Sequence, residues 1–185
     1  MPVPAAQELK TLCLREPSLT LAVAESMTGG RVQAAITAVS GSSGYFLGGI
    51  TAYTLDQKVK HLGVKRAAAA KVDCVSSEVA AQMACGVARL FGADVAVATT
   101  GYAEPSQARG VDEPFAFWAI AHRIAPRRWQ IVTGRIVCPG MTRVEAQAAV
   151  TDAVIGELTA YLRDNAPRAT MPKGGRRSPS AVANA

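Results

Sequence analysis

Blocks of apolar positions along the chain predict helices that alternate with strands. Leu9, Leu12 and Cys13 fall at helical spacing and predict a first helix over residues 5–15, which Pro17 ends. Short, continuous apolar runs instead predict buried strands, and in chain order these runs are Leu19–Ala24, Phe46–Thr54 and Ala93–Thr100.

Helices are predicted between these strands. Thr28 is a plausible N-cap for a helix with one apolar face, formed by Val32, Ala35, Ile36 and Val39. Short helices are expected from Asp56 and near Ala67–Ala70. A longer helix, capped by Ser76 or Ser77 and stopped by Gly92, carries an apolar face of Val79, Met83, Val87 and Leu90.

The second half of the chain changes in character. A polar loop from Tyr102 to Pro114 precedes two strands, Phe115–Ile124 and Trp129–Val137, which form an antiparallel pair. Thr142 and Glu145 then make a T-x-x-E capping box that opens a last helix, to about Leu162.

This order of elements predicts an α/β fold: a single α/β/α layered domain with a mainly parallel central sheet and antiparallel edge strands. The domain covers residues 1–165, and residues 166–185 are predicted to be a disordered tail. Ligands bind such sheets beyond the carboxyl ends of the strands. The segments Glu25–Ser26, Tyr53–Thr54 and Thr99–Gly101 are therefore expected to be neighbours in one site.

The net charge of +6 first suggests an anionic partner. Four of the 20 basic residues lie in the predicted tail, however, where no acidic residue is present. The 16 that remain nearly balance the 14 acidic residues of the domain. Since aromatic residues make up only 5% of the chain, a base-stacking nucleic-acid platform is disfavoured, and nucleic-acid binding through the tail is the weakest hypothesis.

Cysteine and histidine positions exclude the common zinc patterns. The cysteines Cys13, Cys74, Cys85 and Cys138 form no C-x-x-C pair, and only two histidines are present. We therefore expect no metal, no cofactor and a reducing compartment. No signal-peptide pattern and no apolar run of about 18 residues is found, so the sequence predicts a cytoplasmic protein without a membrane partner.

The turn Glu25–Gly30 is the first candidate for chemistry. A strand end, two hydroxyls and two glycines lead into a helix N-terminus, where free backbone N–H groups can bind an anion or an oxyanion. The alternative is a capped turn with Thr28 as the cap. The sequence lacks G-x-x-x-x-G-K-[ST], so a nucleotide P-loop is excluded.

A second candidate group is Ser42 and Ser43, followed by Tyr53 and Lys58. No Ser-His-Asp triad is convincing, and G-x-S-x-G is absent. A lysine whose pKa is lowered by burial could instead activate a serine. The alternative is that Lys58 is an ordinary exposed helix lysine beside Asp56, because lysines are rarely buried.

Three stretches together resemble one family: AESMTGG (residues 24–30), GSSGYFLGGITAYTLDQKVKHLGV (41–64) and VSSEVAAQMACGVARLFGADVAVATTGYAEP (75–105). They are similar to the C-terminal domain of CinA, the competence/damage-inducible protein, whose stand-alone form is nicotinamide-nucleotide amidase. The resemblance covers roughly residues 5–163. It implies a homodimeric, metal-independent Ser/Lys hydrolase that takes a small nucleotide substrate, converting nicotinamide mononucleotide and water to nicotinate mononucleotide and ammonia.

Carried onto this sequence, the resemblance implies Ser26 or Ser43 as nucleophile and Lys58 as base, with Tyr53 beside it. Which serine attacks stays open, although the strand end and nearby helix N–H groups favour Ser26. The substrate-binding candidates, which include the neighbours of the two serines, are Glu25, Thr28, Gly29, Gly30, Ser42, Thr100, Gly101 and Arg143.

The sequence departs from the family pattern around one loop. Glu104 replaces a small glycine, Glu113 replaces a basic residue, and Arg143 stands one position later than the family's arginine. Added negative charge weakens the binding of an anionic substrate by Coulomb repulsion. A second hypothesis is therefore a catalytically weak paralogue that binds a nucleotide-like ligand or a protein partner.

Overall fold

The computed structural model describes residues 4–165. Six α-helices are present in this range: α1 (Pro4–Leu14), α2 (Arg31–Thr37), α3 (Leu55–Leu62), α4 (Arg66–Lys71), α5 (Ser77–Phe91) and α6 (Arg143–Asn165). The five strands of the same range are β1 (Leu21–Glu25), β2 (Phe46–Thr51), β3 (Val95–Tyr102), β4 (Phe115–Ala125) and β5 (Arg128–Val137). The predicted tail lies outside the described residues.

The strands form one sheet in the order β2-β1-β3-β4-β5. β1 pairs in parallel with both β2 and β3, whereas β4 and β5 are antiparallel additions beside β3. The α/β architecture is confirmed. Because β1, β2 and β3 run in the same direction, their carboxyl ends meet at one edge of the sheet.

The two faces of the sheet are packed differently. Branched side chains such as Val23, Val97 and Ile120 face the core shared with α1, α2 and α6. The opposite face is formed by alanines and packs against α5; these are Ala22, Ala24, Ala96, Ala98, Ala119 and Ala121. Side chains of neighbouring strand residues point to opposite faces, and the small alanine side chains let α5 lie close to the sheet.

Helix ends follow the predicted chemistry with one exception. Ser76, rather than Ser77, caps α5 by accepting a hydrogen bond from the backbone N–H of Val79 at 3.1 Å, and Gly92 ends this helix with a φ of 71°. The backbone N–H of Thr142 donates to the Glu145 carboxylate, which is one half of the predicted capping box, and the Thr142 hydroxyl donates to the same carboxylate. Thr28 does not cap α2, so that prediction was wrong.

Two glycines are required by close approaches. A Cβ on Gly49 would lie 2.5 Å from the carbonyl oxygen of Val23 on the neighbouring strand, as expected from the Gly-Gly pair in β2. A Cβ on Gly101 would collide with the carbonyl oxygen of Phe115. Gly101 therefore lets β4 pair closely with β3 where the sheet reaches the candidate site.

Candidate active site

A cavity of about 500 Å³ opens at the carboxyl-terminal edge of the parallel strands. Ser26 follows β1, Tyr53 and Thr54 follow β2, and Thr100 and Gly101 lie near the end of β3, and all five line this cavity. The structure thus brings together the three strand ends that the sequence places at one edge.

Ser26 and Lys58 form a buried polar contact in the cavity lining, and we call them the floor pair. Lys58 Nζ lies 2.9 Å from Ser26 Oγ. It also donates a hydrogen bond at 2.9 Å to the carbonyl oxygen of Tyr53, which precedes the N-cap of α3. Ser26 is 7% exposed and Lys58 only 2%. The hydrogen bond to the Tyr53 carbonyl holds the lysine amine in place beside Ser26 Oγ.

Lys58 is buried, so it is not the exposed, solvated helix lysine of the alternative interpretation. Burial lowers the pKa of the Lys58 amine below its ordinary value, since desolvation disfavours the ammonium form. Cys74 and Asp73 act in the opposite direction and oppose part of this shift. A lysine with a lowered pKa supplies more neutral amine near neutral pH, which general-base chemistry requires.

Glu25 has a different place from the one expected of a substrate ligand. Its carboxylate is fully buried and turns away from the cavity to the N-terminus of α2. It accepts hydrogen bonds from the backbone N–H groups of Gly30, Val32 and Gln33, and from the side-chain amide of Gln33, at 2.9 to 3.2 Å. Glu25 therefore caps α2, and these N–H groups are not free to bind a phosphate or an oxyanion.

The rest of the Glu25–Gly30 turn also lies outside the cavity lining, apart from Ser26 and Met27. Thr28 is buried, and its hydroxyl is 2.7 Å from that of Thr99 on β3. Thr28, Gly29 and Gly30 border a separate surface depression. The structure therefore corrects the substrate-binding prediction for Glu25 and Thr28, whose side chains are buried. Gly29 and Gly30 lie outside the cavity lining, and their role in substrate binding stays a prediction.

Ser42 and Ser43 do not join the floor pair. They lie in a short 3-10 helix, Ser42–Gly44, which precedes β2 at the amino-terminal edge of the sheet. β2 has six residues, and a strand rises about 3.3 Å per residue, so roughly a strand length of 15–20 Å separates them from the cavity. Neither serine lines the cavity, so the structure separates the two nucleophile candidates and leaves Ser26 beside the lysine.

Arg143, Glu104 and the side chain of Tyr53 form the outer part of the cavity, which we call the rim. Arg143 is the first residue of α6, and its guanidinium lies 2.6 Å from a carboxylate oxygen of Glu104. The same guanidinium donates to the Tyr53 hydroxyl at 2.8 Å. The side chains of Arg143 and Glu104 are 42% and 58% exposed. Despite its shift by one position, Arg143 reaches the cavity, and it is paired with Glu104 there.

Sequence reasoning missed the segment between α4 and α5. Asp73 and Cys74 line the cavity, and both adopt positive φ angles, 49° and 64°. The Thr100 hydroxyl donates to the carbonyl oxygen of Cys74 at 2.7 Å, and the Tyr102 hydroxyl donates to Asp73 at 2.9 Å. No sequence motif predicts a left-handed backbone conformation at two adjacent residues that are not glycine. The place of Asp73 and Cys74 in the cavity is therefore known only from their contacts with β3.

Two further searches of residues 4–165 bear on the site. None of the helices in this range combines the length and the apolar composition needed to cross a bilayer. Within the same range, no three His, Cys, Asp or Glu side chains are grouped as a metal-binding cluster requires.

Known proteins match both the sequence and the fold. The family model of the CinA C-terminal domain matches residues 5–162. A CinA-like protein of Chlorobium limicola is 40% identical over 153 residues, which is 82% of this chain and 35% of that protein. A CinA-like protein of Citrifermentans bemidjiense is 49% identical over 94 residues, or 51% of this chain and 23% of that protein. The chain thus spans about a third or less of the length of these curated relatives.

A solved structure has the same architecture. The competence-damaged protein (CinA) superfamily protein of Klebsiella pneumoniae superposes with a TM-score of 0.79 at 25% sequence identity, covering 89% of this chain and 99% of that one. Sequence match and fold agree over nearly all of the described residues, and the chain belongs to the CinA C-terminal domain family.

Proposed function

We propose that this protein is an amidohydrolase of the nicotinamide-nucleotide amidase type, which hydrolyses nicotinamide mononucleotide to nicotinate mononucleotide and ammonia. The observation that carries the proposal is the floor pair: a buried lysine amine 2.9 Å from a serine hydroxyl in a cavity. The cavity volume of about 500 Å³ suits a mononucleotide, since ligand sites are typically ~300–1,000 Å³.

The first half of the reaction uses Lys58 as base and then as acid. The neutral amine takes the Ser26 proton as Oγ attacks the carboxamide carbon, which gives a tetrahedral oxyanion and a lysine ammonium. The ammonium then protonates the departing nitrogen, the C–N bond breaks, and ammonia leaves. The product of this half is a nicotinoyl ester on Ser26, with Lys58 neutral again.

The second half repeats the proton transfer with water. Lys58 removes a proton from a water molecule that attacks the ester carbon, and it returns that proton to Ser26 Oγ as the ester bond breaks. The acid is released, and the serine and the neutral lysine are restored. Each proton taken up by Lys58 is given back in the same half-reaction, so no metal or cofactor enters the scheme.

The oxyanion needs donors other than the α2 N-terminus, because Glu25 accepts the hydrogen bonds there. We assign this role to the backbone N–H of Met27, which follows Ser26 and lines the cavity. In hydrolases with a nucleophile at a strand-to-helix turn, the residue after the nucleophile supplies such a donor. One donor of this kind contributes about 3–4 kcal/mol to transition-state stabilisation.

The test measures ammonia released from nicotinamide mononucleotide by wild type, Ser26→Ala, Lys58→Ala and Ser43→Ala. We expect the first two variants to lose about a thousandfold or more in kcat, because each removes one half of the nucleophile-base unit. Ser43→Ala is the matched control, the same substitution at a serine outside the cavity, and it should keep wild-type activity.

Two outcomes would contradict the proposal in different ways. Ammonia release by Ser26→Ala at the wild-type rate would remove Ser26 as nucleophile. An inert wild type that still binds the nucleotide would instead favour the catalytically weak paralogue, for which the paired rim arginine is the supporting observation.

A further inference from the structure

The rim carries a carboxylate where an anionic ligand would be expected. The Arg143 guanidinium contacts Glu104 at 2.6 Å and Tyr53 at 2.8 Å. A guanidinium at the mouth of a cavity is suited to bind a phosphate through two parallel hydrogen bonds. In this protein a carboxylate from the loop after β3 already takes up part of that capacity.

The remaining charges of the cavity do not offer a phosphate a second site. Among the described residues, the charged side chains of the lining are Lys58, Asp73, Glu104 and Arg143. Asp73 is held by the Tyr102 hydroxyl and by Arg109, whose guanidinium lies 3.1 Å away. Lys58 must be neutral to act as base, so Arg143 is the cation left for an anionic ligand, and it is paired with Glu104.

We propose that Glu104 is a specificity-determining residue that disfavours phosphorylated carboxamides and makes the site prefer a carboxamide without a phosphate group. The inference rests on the proposed amidase function and refines the substrate class of that same site: nicotinamide mononucleotide is hydrolysed, and the same carboxamide without the phosphate is the better substrate. A phosphate dianion must either displace Glu104 from Arg143 or bind the guanidinium beside that carboxylate, and in both cases it lies next to a negative charge. A neutral or cationic carboxamide leaves the pair intact, and a cationic one, such as a pyridinium nucleoside, is also attracted by the nearby negative charge.

The catalytic arm of the test compares nicotinamide mononucleotide with nicotinamide riboside, which differs from it only by the phosphate. In wild type we expect a higher kcat/KM for the riboside. Glu104→Gln keeps the size of the side chain and removes its charge, so it should lower KM for the mononucleotide about fivefold, the scale of one exposed ion pair. The ratio of the two kcat/KM values should shift toward the mononucleotide by a similar factor.

The control variant is Glu113→Gln, which removes the same charge from the same loop. Glu113 is exposed and borders a different surface depression, so this variant should keep the wild-type preference. If Glu113→Gln shifts the ratio as much as Glu104→Gln does, the effect belongs to the net charge of the protein, and the specific role of Glu104 is refuted.

A binding arm keeps the inference testable if no ammonia is released. Calorimetric titration of Ser26→Ala, with and without Glu104→Gln, measures the affinity for both compounds without catalysis. About fivefold tighter binding of the mononucleotide alone upon Glu104→Gln supports the inference even where the amidase proposal fails. An equal change for both compounds, no change for either, or no binding by any variant overturns it, whatever the activity.

Discussion

The floor and the rim of the cavity are built in opposite ways. The floor pair comes from the end of β1 and from α3, and both side chains are buried. The rim joins a loop carboxylate to the first residue of α6 through an exposed ion pair. Exposed ion pairs contribute only about 0–1 kcal/mol to stability. Substitutions at the rim can therefore change selectivity at little cost to the fold, whereas the chemistry of the floor depends on the fold around it.

The largest effect is expected at Glu25, the residue immediately before Ser26. Glu25→Ala leaves three backbone N–H groups and one side-chain amide without their buried acceptor. Since unsatisfied buried donors cost about 1–3 kcal/mol each and the turn can relax in part, we expect the free energy of unfolding to fall by about 3 kcal/mol. Urea unfolding measures the change.

The exposed residue Glu113 provides the comparison for this substitution. Glu113→Ala should change the free energy of unfolding by less than about 0.5 kcal/mol. Equal effects of the two substitutions would mean that Glu25 does not hold α2 and the turn at Ser26 in place.

Glu25 also shows where sequence reasoning stops. The strand before it was predicted because a short, wholly apolar run is typical of a buried strand. Its carboxylate was assigned to the substrate because a polar residue at a strand end points to a site. The contacts that decide otherwise depend on a turn in which Gly29 and Gly30 have φ angles of 63° and 97°. That turn brings the N-terminus of α2 back to the Glu25 carboxylate. The pattern of apolar residues does not indicate such a turn.

Lys58 gives a second example of this limit. The helix around it was predicted, but its burial was left open, because the pattern of charged neighbours is typical of an exposed surface. The side chain is buried by its position between strand ends that are distant in sequence, 32 residues away in the case of Ser26. The family resemblance pointed to this lysine, and the structure supplied the physical reason for its lowered pKa.

The next largest effect is the pH dependence of the floor pair. Because the pKa of Lys58 is lowered, we expect kcat/KM to rise about tenfold per pH unit while the amine loses its proton. The rise should end at a pH below ~10.4, the ordinary pKa of lysine. A rate profile measured with ammonia detection locates this midpoint. A profile that still rises at the ordinary lysine pKa would contradict a buried base.

Removing the amine should separate stability from activity. Lys58→Met places an apolar side chain of similar length in the same buried position, so we expect about 1 kcal/mol of added stability at neutral pH, together with loss of hydrolysis. Lys60→Met, on the exposed side of α3, is the matched control and should gain nothing. A destabilised Lys58→Met would show that the contacts of the amine outweigh its desolvation.

Lys58→Met also tests how the free energy of unfolding depends on pH. Because folding lowers the pKa of Lys58, the unfolded chain holds its proton to higher pH than the native chain does. The free energy of unfolding therefore gains a contribution as pH rises through the interval between the native and the ordinary pKa. Lys58→Met should lack that contribution, so its advantage over wild type should shrink toward high pH.

The smallest effect is expected at the rim, and it completes the contrast with the floor. Glu104→Gln and Arg143→Gln each break one exposed ion pair, so each should change the free energy of unfolding by no more than about 0.5 kcal/mol in urea unfolding. The double variant should fall within the same range, because both partners are then neutral. A loss of 2 kcal/mol or more in either single variant would mean that the rim helps to hold α6 on the sheet, and the separation of selectivity from stability would fail.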